Sequence, residues 1–438
     1  MRIIGANKSF DVTANLVGSK SESNRVLMIG YYGGFTPRVT NLSTSDDTQL
    51  LNEILQQINV ETRFIASPKH DGAETIDCHN AGTVFRFLVT ALSLKPGNWI
   101  LTGSDRMMQR PVGDLVDALR KMGAKIEYLG QEGFPPLKIR GKNLVETHGR
   151  ASLPINIDIT RSSQFASSLL LAMPIVETCH DGASLHLNGD LSSLPYIDMT
   201  IDIICHFSAY VKRDGRDIFV QQSGYQDVEY IVESDWTCAS YWYEAVALSE
   251  NGRVRLRNLR LDSKQGDAIV AKWFEKFGVK TIQDGNDIII NHVETFQETS
   301  HYMHSTVKFD FINNPDLFPT IAATCAGLGI EGRFTGLRNL IHKESDRVAA
   351  MMTELSKIGV TFERKSDNEL IINPIMGNTS ETHHVFDSHN DHRIAMSLAP
   401  LAMKIGAIVE INNADVVSKS YPNFWKEIMN VIQVEMTI

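Results

Sequence analysis

The sequence predicts an α/β (α+β) fold in two domains, and three observations predict it. A unit recurs in which an amphipathic helix closes on a small or turn-forming residue and an extended segment follows. Six further helices are apolar almost all round yet begin with polar clusters, which belongs to helices inside a domain. The chain of 438 residues, 43% of them apolar, is long enough for two cores of ordinary size.

Taken in order, the recurring helices end at Asn59, Gly123, Ser208, Gly278 and Gly359, and a shorter one around Phe424–Val431 reads as a truncated sixth copy. Their irregular spacing argues against a solenoid and fits duplicated α/β units. The apolar helices open at S-N-R, N-A-G-T, S-S-Q-F, D-W-T-C, P-D-L-F and D-H-R-I. Capping alone does not explain six such starts, so their N-termini are expected to converge on a cleft between the domains.

Bulk properties exclude several classes. A net charge of −10 argues against an extended nucleic-acid surface, so any anion must be drawn by a local cluster of Lys and Arg. No segment has the unbroken apolar length of a membrane span, and M-R-I-I-G-A-N-K lacks the apolar core of a secretory signal. Five cysteines (Cys78, Cys179, Cys205, Cys238, Cys325) lie scattered without C-x-x-C spacing, which suits free thiols in a reducing cytoplasm. No His/Cys group has zinc spacing.

The chemistry starts at G-S-K-S-E-S-N-R, Gly18 to Arg25. Gly18 and Ser19 favour a turn, and Ser21 or Ser23 can cap a helix beginning near Asn24. Free N–H groups at that start, with Lys20 and Arg25, make a phosphate or carboxylate site. The bland alternative is a capped helix with solvated basic residues. Asn80-Ala81-Gly82-Thr83 repeats the logic: Asn80 can cap, Gly82 permits close approach, and Thr83 and Arg86 share a face. Arg110 precedes a helix that begins with Pro111, and the proline does not require the arginine. Ser162, Ser163 and Gln164 open a buried helix with uncharged donors suited to phosphate or sugar-like hydroxyls, and Ser193 and Tyr196 add two more hydroxyls. Asp316 sits at a helix start, where capping is the default reading. Lys343, Glu344 and Arg347 read on spacing alone as a surface salt-bridge face. Asn390 to Arg393 is denser, because it opens an apolar helix where an unpaired charge is costly. Lys419 falls in a loop before the last helix.

Eight of these motifs, in order along the whole chain, resemble those of the EPSP (5-enolpyruvylshikimate-3-phosphate) synthases, within the enolpyruvyl transferases. They are G-S-K-S-x-S-N-R, N-A-G-T-x-x-R, L-T-G-x-x-R-M-x-x-R-P, S-S-Q-F, S-x-P-Y-I-D, Q-G-D (Gln265–Asp267), K-E-S-D-R and N-D-H-R. The resemblance implies the two-domain enolpyruvyl transferase fold, each domain three βαβαββ units in an inverse α/β barrel, with the active site in the interdomain cleft. One domain would be 1–18 with 234–438 and the other, binding shikimate 3-phosphate, 19–233. It implies transfer of the enolpyruvyl group of phosphoenolpyruvate to the 5-hydroxyl of shikimate 3-phosphate by a cytoplasmic monomer.

Carried over residue by residue, shikimate 3-phosphate would meet Ser21, Arg25, Ser162, Ser163, Gln164, Ser193, Tyr196, Asp316, Asn339 and Lys343. Phosphoenolpyruvate would meet Lys20, Asn80, Gly82, Arg110, Gln164, Arg347, Arg393 and Lys419. Asp316 and Glu344 would be the acid/base carboxylates, Lys20 a proton donor, and His392 would lie beside the reacting centre. Side chains supply the cations, so no metal or other cofactor is expected. So many cations are expected to hold an empty cleft open.

The chain departs from the pattern at Val17, His79, Phe87, Leu194 and Ile341-His342, where the family has proline, glycine, proline, lysine and an arginine. His79 and Phe87 are expected to flank the phosphoenolpyruvate residues. The nearest alternative is the sister transferase acting on UDP-N-acetylglucosamine. It relies on a loop cysteine, and Asp105–Pro111 contains none. A non-catalytic binding protein on the same scaffold would be expected to lack Lys20, Asp316, Glu344 or the arginines, and all are present.

Overall fold

One strand arrangement recurs through the computed structural model, which describes residues 1–59, 72–141, 155–176, 182–293, 306–374 and 382–435. A first strand pairs in parallel with a second, the second antiparallel with a fourth, and the fourth antiparallel with a third at the far edge. A buried helix links the first strand to the second, as a parallel pair requires a crossover. Glu74–Asp77, Gly97–Thr102, Lys125–Tyr128 and Leu137–Gly141 form one such sheet in chain order. Ile155–Asp158, Gly182–Asn188, Val211–Asp214 and Asp217–Gln221 form the next. Val307–Asp310, Gly332–Thr335, Val360–Ser366 and Glu369–Pro374 form a third.

Two sheets borrow a strand from the beginning of the chain. Ser9–Ala14 is the first strand beside Asn251–Leu256, Val279–Asp284 and Asp287–His292. Arg2–Ala6 closes the sheet of His383–Asp387, Ile408–Asn412 and Ile432–Glu435. A sixth parallel pair, Val39–Thr40 with Tyr230–Ile231, stands alone among the described residues.

The helix closers behave as their residue types demand. Gly123, Ser208, Gly278 and Gly359 all take positive φ (96°, 72°, 75° and 84°), which turns the chain out of each helix toward the next strand. Asn59 ends its helix, and the extended segment expected after it lies outside the described residues. So does Cys179; the other four cysteines are free thiols.

The chain divides into two units. The first holds Met1–Ser19, Thr44–Asp46 and Glu233–Ile438; the second holds Lys20–Ser43 and Asp47–Val232. In the first, the helices Trp236–Leu248, Phe318–Leu328 and His392–Leu398 pack on one another at the centre of one continuous core. In the second, Lys20–Gly33, Gly82–Leu94 and Gln164–Ala172 do the same. These are the six apolar helices of the sequence. Their all-round hydrophobicity has this cause: each packs against two sister helices inside the core of its unit.

Several local expectations are corrected. The first helix begins at Lys20, not near Asn24, so Ser21 and Ser23 lie inside its first turn instead of capping it. Ser23 Oγ accepts instead from the Ser43 backbone N–H at 2.9 Å. The helix after Arg110 starts at Gly113, leaving Pro111 ahead of it. Asn80 is not a cap; Ala81 holds that position without a side-chain bond. Lys343 and Glu344 lie in the link before the helix Arg347–Ser356, whose cap is Asp346. Lys419 ends a 3-10 helix, Ala414–Lys419.

Candidate active site

In the second unit the buried helix starts gather donors around two centres. Lys20 Nζ donates to Asp47 Oδ2 at 2.9 Å, both side chains being nearly buried. Asp47 carried no signal in the sequence beyond its type; its partner lies on another helix. Arg25 is held on all sides. Nε donates to Thr200 Oγ1 (2.7 Å), Nη1 to the Ser21 carbonyl (2.8 Å), and Nη2 to Ser167 Oγ (3.2 Å) and the Tyr196 carbonyl (3.1 Å). Burial pushes its guanidinium down to about 10, with Tyr196, Glu22 and Tyr230 opposing. Arg25 therefore joins the first helix to the helices carrying Gln164 and Tyr196.

Gln164 is fixed from both ends. Its amide donates to Thr83 Oγ1 at 2.8 Å, and its carbonyl accepts from Arg86 Nη1 at 2.7 Å. Thr83 and Arg86 do share a face, and Gln164 is what that face meets. Ser162 Oγ accepts the Gln164 N–H at 3.3 Å, and Ser163 occupies the cap position. Ser193 takes φ 55° at the start of the helix Leu194–His206, which carries Tyr196 in its first turn. Arg110, buried, donates to the Asn80 carbonyl at 3.2 Å. Its guanidinium lies across Gly82: a Cβ there would stand 2.6 Å from Cζ, Nη1 and Nη2.

In the first unit a denser network surrounds Asp316. Its Oδ1 accepts from Arg347 Nη1 (2.6 Å) and Lys343 Nζ (3.2 Å), and its Oδ2 from Arg393 Nη2 (2.7 Å). Arg347 also donates to Glu344 Oε2 (2.9 Å) and, through Nε, to Asp391 Oδ2 (2.8 Å). Lys419 Nζ lies 3.9 Å from Glu344 Oε1. The capping reading of Asp316 and the surface reading of Arg347 both fail here: the cap positions belong to Asn314 and Leu317, and Arg347 is 1% exposed.

Burial alone would raise the Asp316 carboxyl, but Arg393, Lys343 and Arg347 together hold it well below the ordinary range. Burial pushes the Lys343 ammonium down, and Asp316 opposes. Asp391, Asp316 and Glu344 overcome burial to raise Arg347. Three carboxylates, Asp316, Glu344 and Asp391, are thus interleaved with the cations of this unit.

Behind Asp316, Asp267 of the Q-G-D motif accepts from Thr237 Oγ1 (2.5 Å) and Asn314 Nδ2 (3.1 Å). Burial and the Asp316 charge raise its carboxyl to about 6. Asn314 lies two residues before Asp316, so Asp267 braces the turn that presents it. His392 is buried, with Nδ1 3.7 Å from Asp391 Oδ1. Asn339 lies in the 3-10 helix Arg338–His342. Among the described residues, no group of three or more His, Cys, Asp or Glu side chains is placed to hold a metal ion.

The family model for EPSP synthase (3-phosphoshikimate 1-carboxyvinyltransferase) matches residues 6–428. The chain belongs to the EPSP synthase family. It is 37% identical over 429 residues to the 3-phosphoshikimate 1-carboxyvinyltransferase of Bacteroides fragilis strain YCH46, covering 97% of this chain and 96% of that protein. It is 34% identical over 445 residues to the Vibrio vulnificus enzyme of that name, covering 98% of each. Among solved structures it resembles EPSP synthase of Acinetobacter baumannii, with TM-score 0.69, 23% identity and 99% of each chain covered. It also resembles the enolpyruvyl transferase NikO of Streptomyces tendae, with TM-score 0.68, 14% identity and 100% and 98% covered. These two likenesses establish the enolpyruvyl transferase fold.

The departures from the EPSP synthase pattern now have physical settings. His79 takes φ 48°, the left-handed region in which the family's glycine is at ease. Asp77 Oδ1 secures that turn by accepting the His79 N–H at 2.7 Å, and the helix still starts at Gly82. Phe87 is fully buried, its ring 5.7 Å from the Arg25 guanidinium carbon.

Proposed function

We infer that the chain carries out its family's reaction at the residues just described. It transfers the enolpyruvyl group of phosphoenolpyruvate to the 5-hydroxyl of shikimate 3-phosphate, giving 5-enolpyruvylshikimate 3-phosphate and phosphate in aromatic amino-acid biosynthesis. The observation that carries the site assignment is the buried Asp316 carboxylate shared by Lys343, Arg347 and Arg393.

Ser21, Arg25, Ser162, Ser163, Gln164, Ser193 and Tyr196 of the second unit hold shikimate 3-phosphate, with Asp316, Asn339 and Lys343 of the first. Lys20, Asn80, Gly82, Arg110 and Gln164, with Arg347, Arg393 and Lys419, hold phosphoenolpyruvate. Arginine suits this task because its planar fork meets carboxylate and phosphate oxygens two at a time.

Asp316 takes the proton of the 5-hydroxyl as its oxygen bonds to C2 of phosphoenolpyruvate. Glu344 or Lys20 gives a proton to the methylene carbon, which becomes a methyl group in a tetrahedral intermediate. Returning that proton while the C2–O bond to phosphate breaks restores the double bond. A carboxylate gripped by three cations is a weak base. Substrate anions compete for Lys343, Arg347 and Arg393, which raises the proton affinity of Asp316 when a base is needed. Cytoplasmic location and a monomeric state belong to the same proposal; among the described residues no helix is long and apolar enough to cross a membrane.

The test is phosphate release from phosphoenolpyruvate with shikimate 3-phosphate, run beside UDP-N-acetylglucosamine and an Asp316→Ala control. Release with shikimate 3-phosphate only, strongly reduced in the control, is expected. Release with the nucleotide sugar only would overturn the acceptor, and an undiminished control would overturn the role of Asp316.

A further inference from the structure

The helix Arg347–Ser356 grips the turn 387–391 at two points, and only one of them involves a residue assigned to substrate. At its first residue, Arg347 holds Asp391. Two helical turns on, along the same stripe, Glu354 reaches the other end of that turn. Glu354 Oε2 accepts the Asp387 N–H at 2.9 Å and Lys357 Nζ at 2.6 Å. Its Oε1 lies 2.7 Å from His389 Nε2, and since a carboxylate only accepts, the ring nitrogen donates. Glu354 is 1% exposed. A carboxylate so buried with three donors is a built contact, not a solvated helix face.

The turn needs outside support. His389 and Asn390 both take positive φ, 52° and 53°, the left-handed region that L side chains adopt sparingly. The turn leads directly into Asp391, which clasps Arg347, and Arg393, which reaches Asp316. A related turn precedes Gly82, where Asp77, His79 and Asn80 stand in the same order; there only the histidine takes positive φ, and it is exposed, 3.5 Å from Asp77.

We propose that Glu354 and His389 form a strut that fixes the turn 387–391 and so positions Arg347 and Arg393 to receive phosphoenolpyruvate. Both are positioning residues. The proposal rests on the assignment of those two arginines to phosphoenolpyruvate.

The experiment measures kcat and both KM values by phosphate release for Glu354→Ala, Glu354→Gln, His389→Asn and Arg393→Lys. Thermal unfolding of each variant verifies the fold. His389→Asn removes the ring while keeping a residue that tolerates positive φ. Glu354→Ala is expected to raise KM for phosphoenolpyruvate about tenfold or more, with KM for shikimate 3-phosphate within about twofold. Glu354→Gln, whose amide carbonyl still accepts the Asp387 N–H, should recover much of the loss. His389→Asn should raise the same KM by a smaller factor. An equal rise in both KM values, or no rise with the fold intact, overturns the strut. If Glu354→Ala does not fold, His389→Asn decides alone by the same criterion. Arg393→Lys separates the two layers. An unchanged KM for phosphoenolpyruvate there refutes the arginine assignment; a raised one beside unaffected strut variants refutes the strut alone.

Discussion

Gly82→Ala measures how closely Arg110 and the backbone beneath it are matched. A Cβ on Gly82 stands 2.6 Å from three guanidinium atoms, where ordinary contact is 3.4–4 Å. The guanidinium must retreat by about 1 Å. It is the far end of a flexible side chain, so it can give way, though its bond to the Asn80 carbonyl goes with it. The cost therefore falls on the ligand site, not on the fold. Alanine is the better helix former by up to about 1 kcal/mol, and Gly82 is the first residue of its helix. If Arg110 binds phosphoenolpyruvate, misplacing it forfeits a charge-assisted hydrogen bond of about 1.5–3 kcal/mol. At 1.36 kcal/mol per decade this is roughly a 10- to 150-fold rise in KM for phosphoenolpyruvate. The melting temperature should be unchanged or higher, and kcat should fall only a few-fold. The assay is steady-state phosphate release with phosphoenolpyruvate varied at saturating shikimate 3-phosphate. An unchanged KM in a folded variant would refute the reasoning, because Arg110 would then either not bind the substrate or move aside at no cost.

Other perturbations probe the first unit. Asp316→Asn removes the base and also the anion that Lys343, Arg347 and Arg393 share. Its kcat should drop about 10²- to 10⁴-fold, while inorganic phosphate becomes a tighter inhibitor. Loss of kcat without tighter phosphate binding would show that the cations are not freed for ligand. Glu244, wholly buried in the helix Trp236–Leu248, has no hydrogen-bond partner on either carboxyl oxygen among the described residues, and burial pushes its carboxyl well above the ordinary range. The folded chain keeps that proton where the unfolded chain releases it. Its contribution to stability is thus full below about pH 4.3 and is lost as pH rises toward the elevated folded value. Glu244→Gln should flatten this fall, gaining on the parent by up to about 1.4 kcal/mol per pH unit in unfolding measured from pH 5 to 8. A difference that does not grow with pH would mean that Glu244 is ionised in the fold.

The fold was legible where local chemistry decides it. The helix closers Gly123, Ser208, Gly278 and Gly359 announce their turns, and apolar helices with polar starts announce helices buried inside a domain. Closure of the sheets was not legible, because Arg2–Ala6 completes a sheet with strands some four hundred residues away. The first helix starts at Lys20, four residues before the expected Asn24, for a related reason. Gly18 bridges Ser234, and the Ser19 N–H reaches the Glu233 carbonyl at 2.8 Å, so the turn is secured from outside and the serines are not needed as caps.

The site divides along the same line. Residue types at helix starts give the donors, but Asp316 has the local look of a cap because its three cationic partners lie 27, 31 and 77 residues along the chain. Glu354 was invisible for the opposite reason. With Lys357 three residues on, it has the look of a solvated helix pair, and that pair does form at 2.6 Å. What the local reading missed is the second half of the carboxylate's work. The clue lay in a repeat within the sequence: D-C-H-N before Gly82 and D-S-H-N before Asp391 both build an Asp-secured turn with the histidine at positive φ, with His N–H to Asp distances of 2.7 and 2.5 Å. The second turn alone also puts its asparagine, Asn390, at positive φ. Only the second turn carries Asp391 and Arg393 into a buried charge network, where an error of position is felt by several ion pairs at once, and only the second histidine is met by a buried carboxylate. Support from a neighbouring helix therefore appears where buried charge makes a loose turn costly.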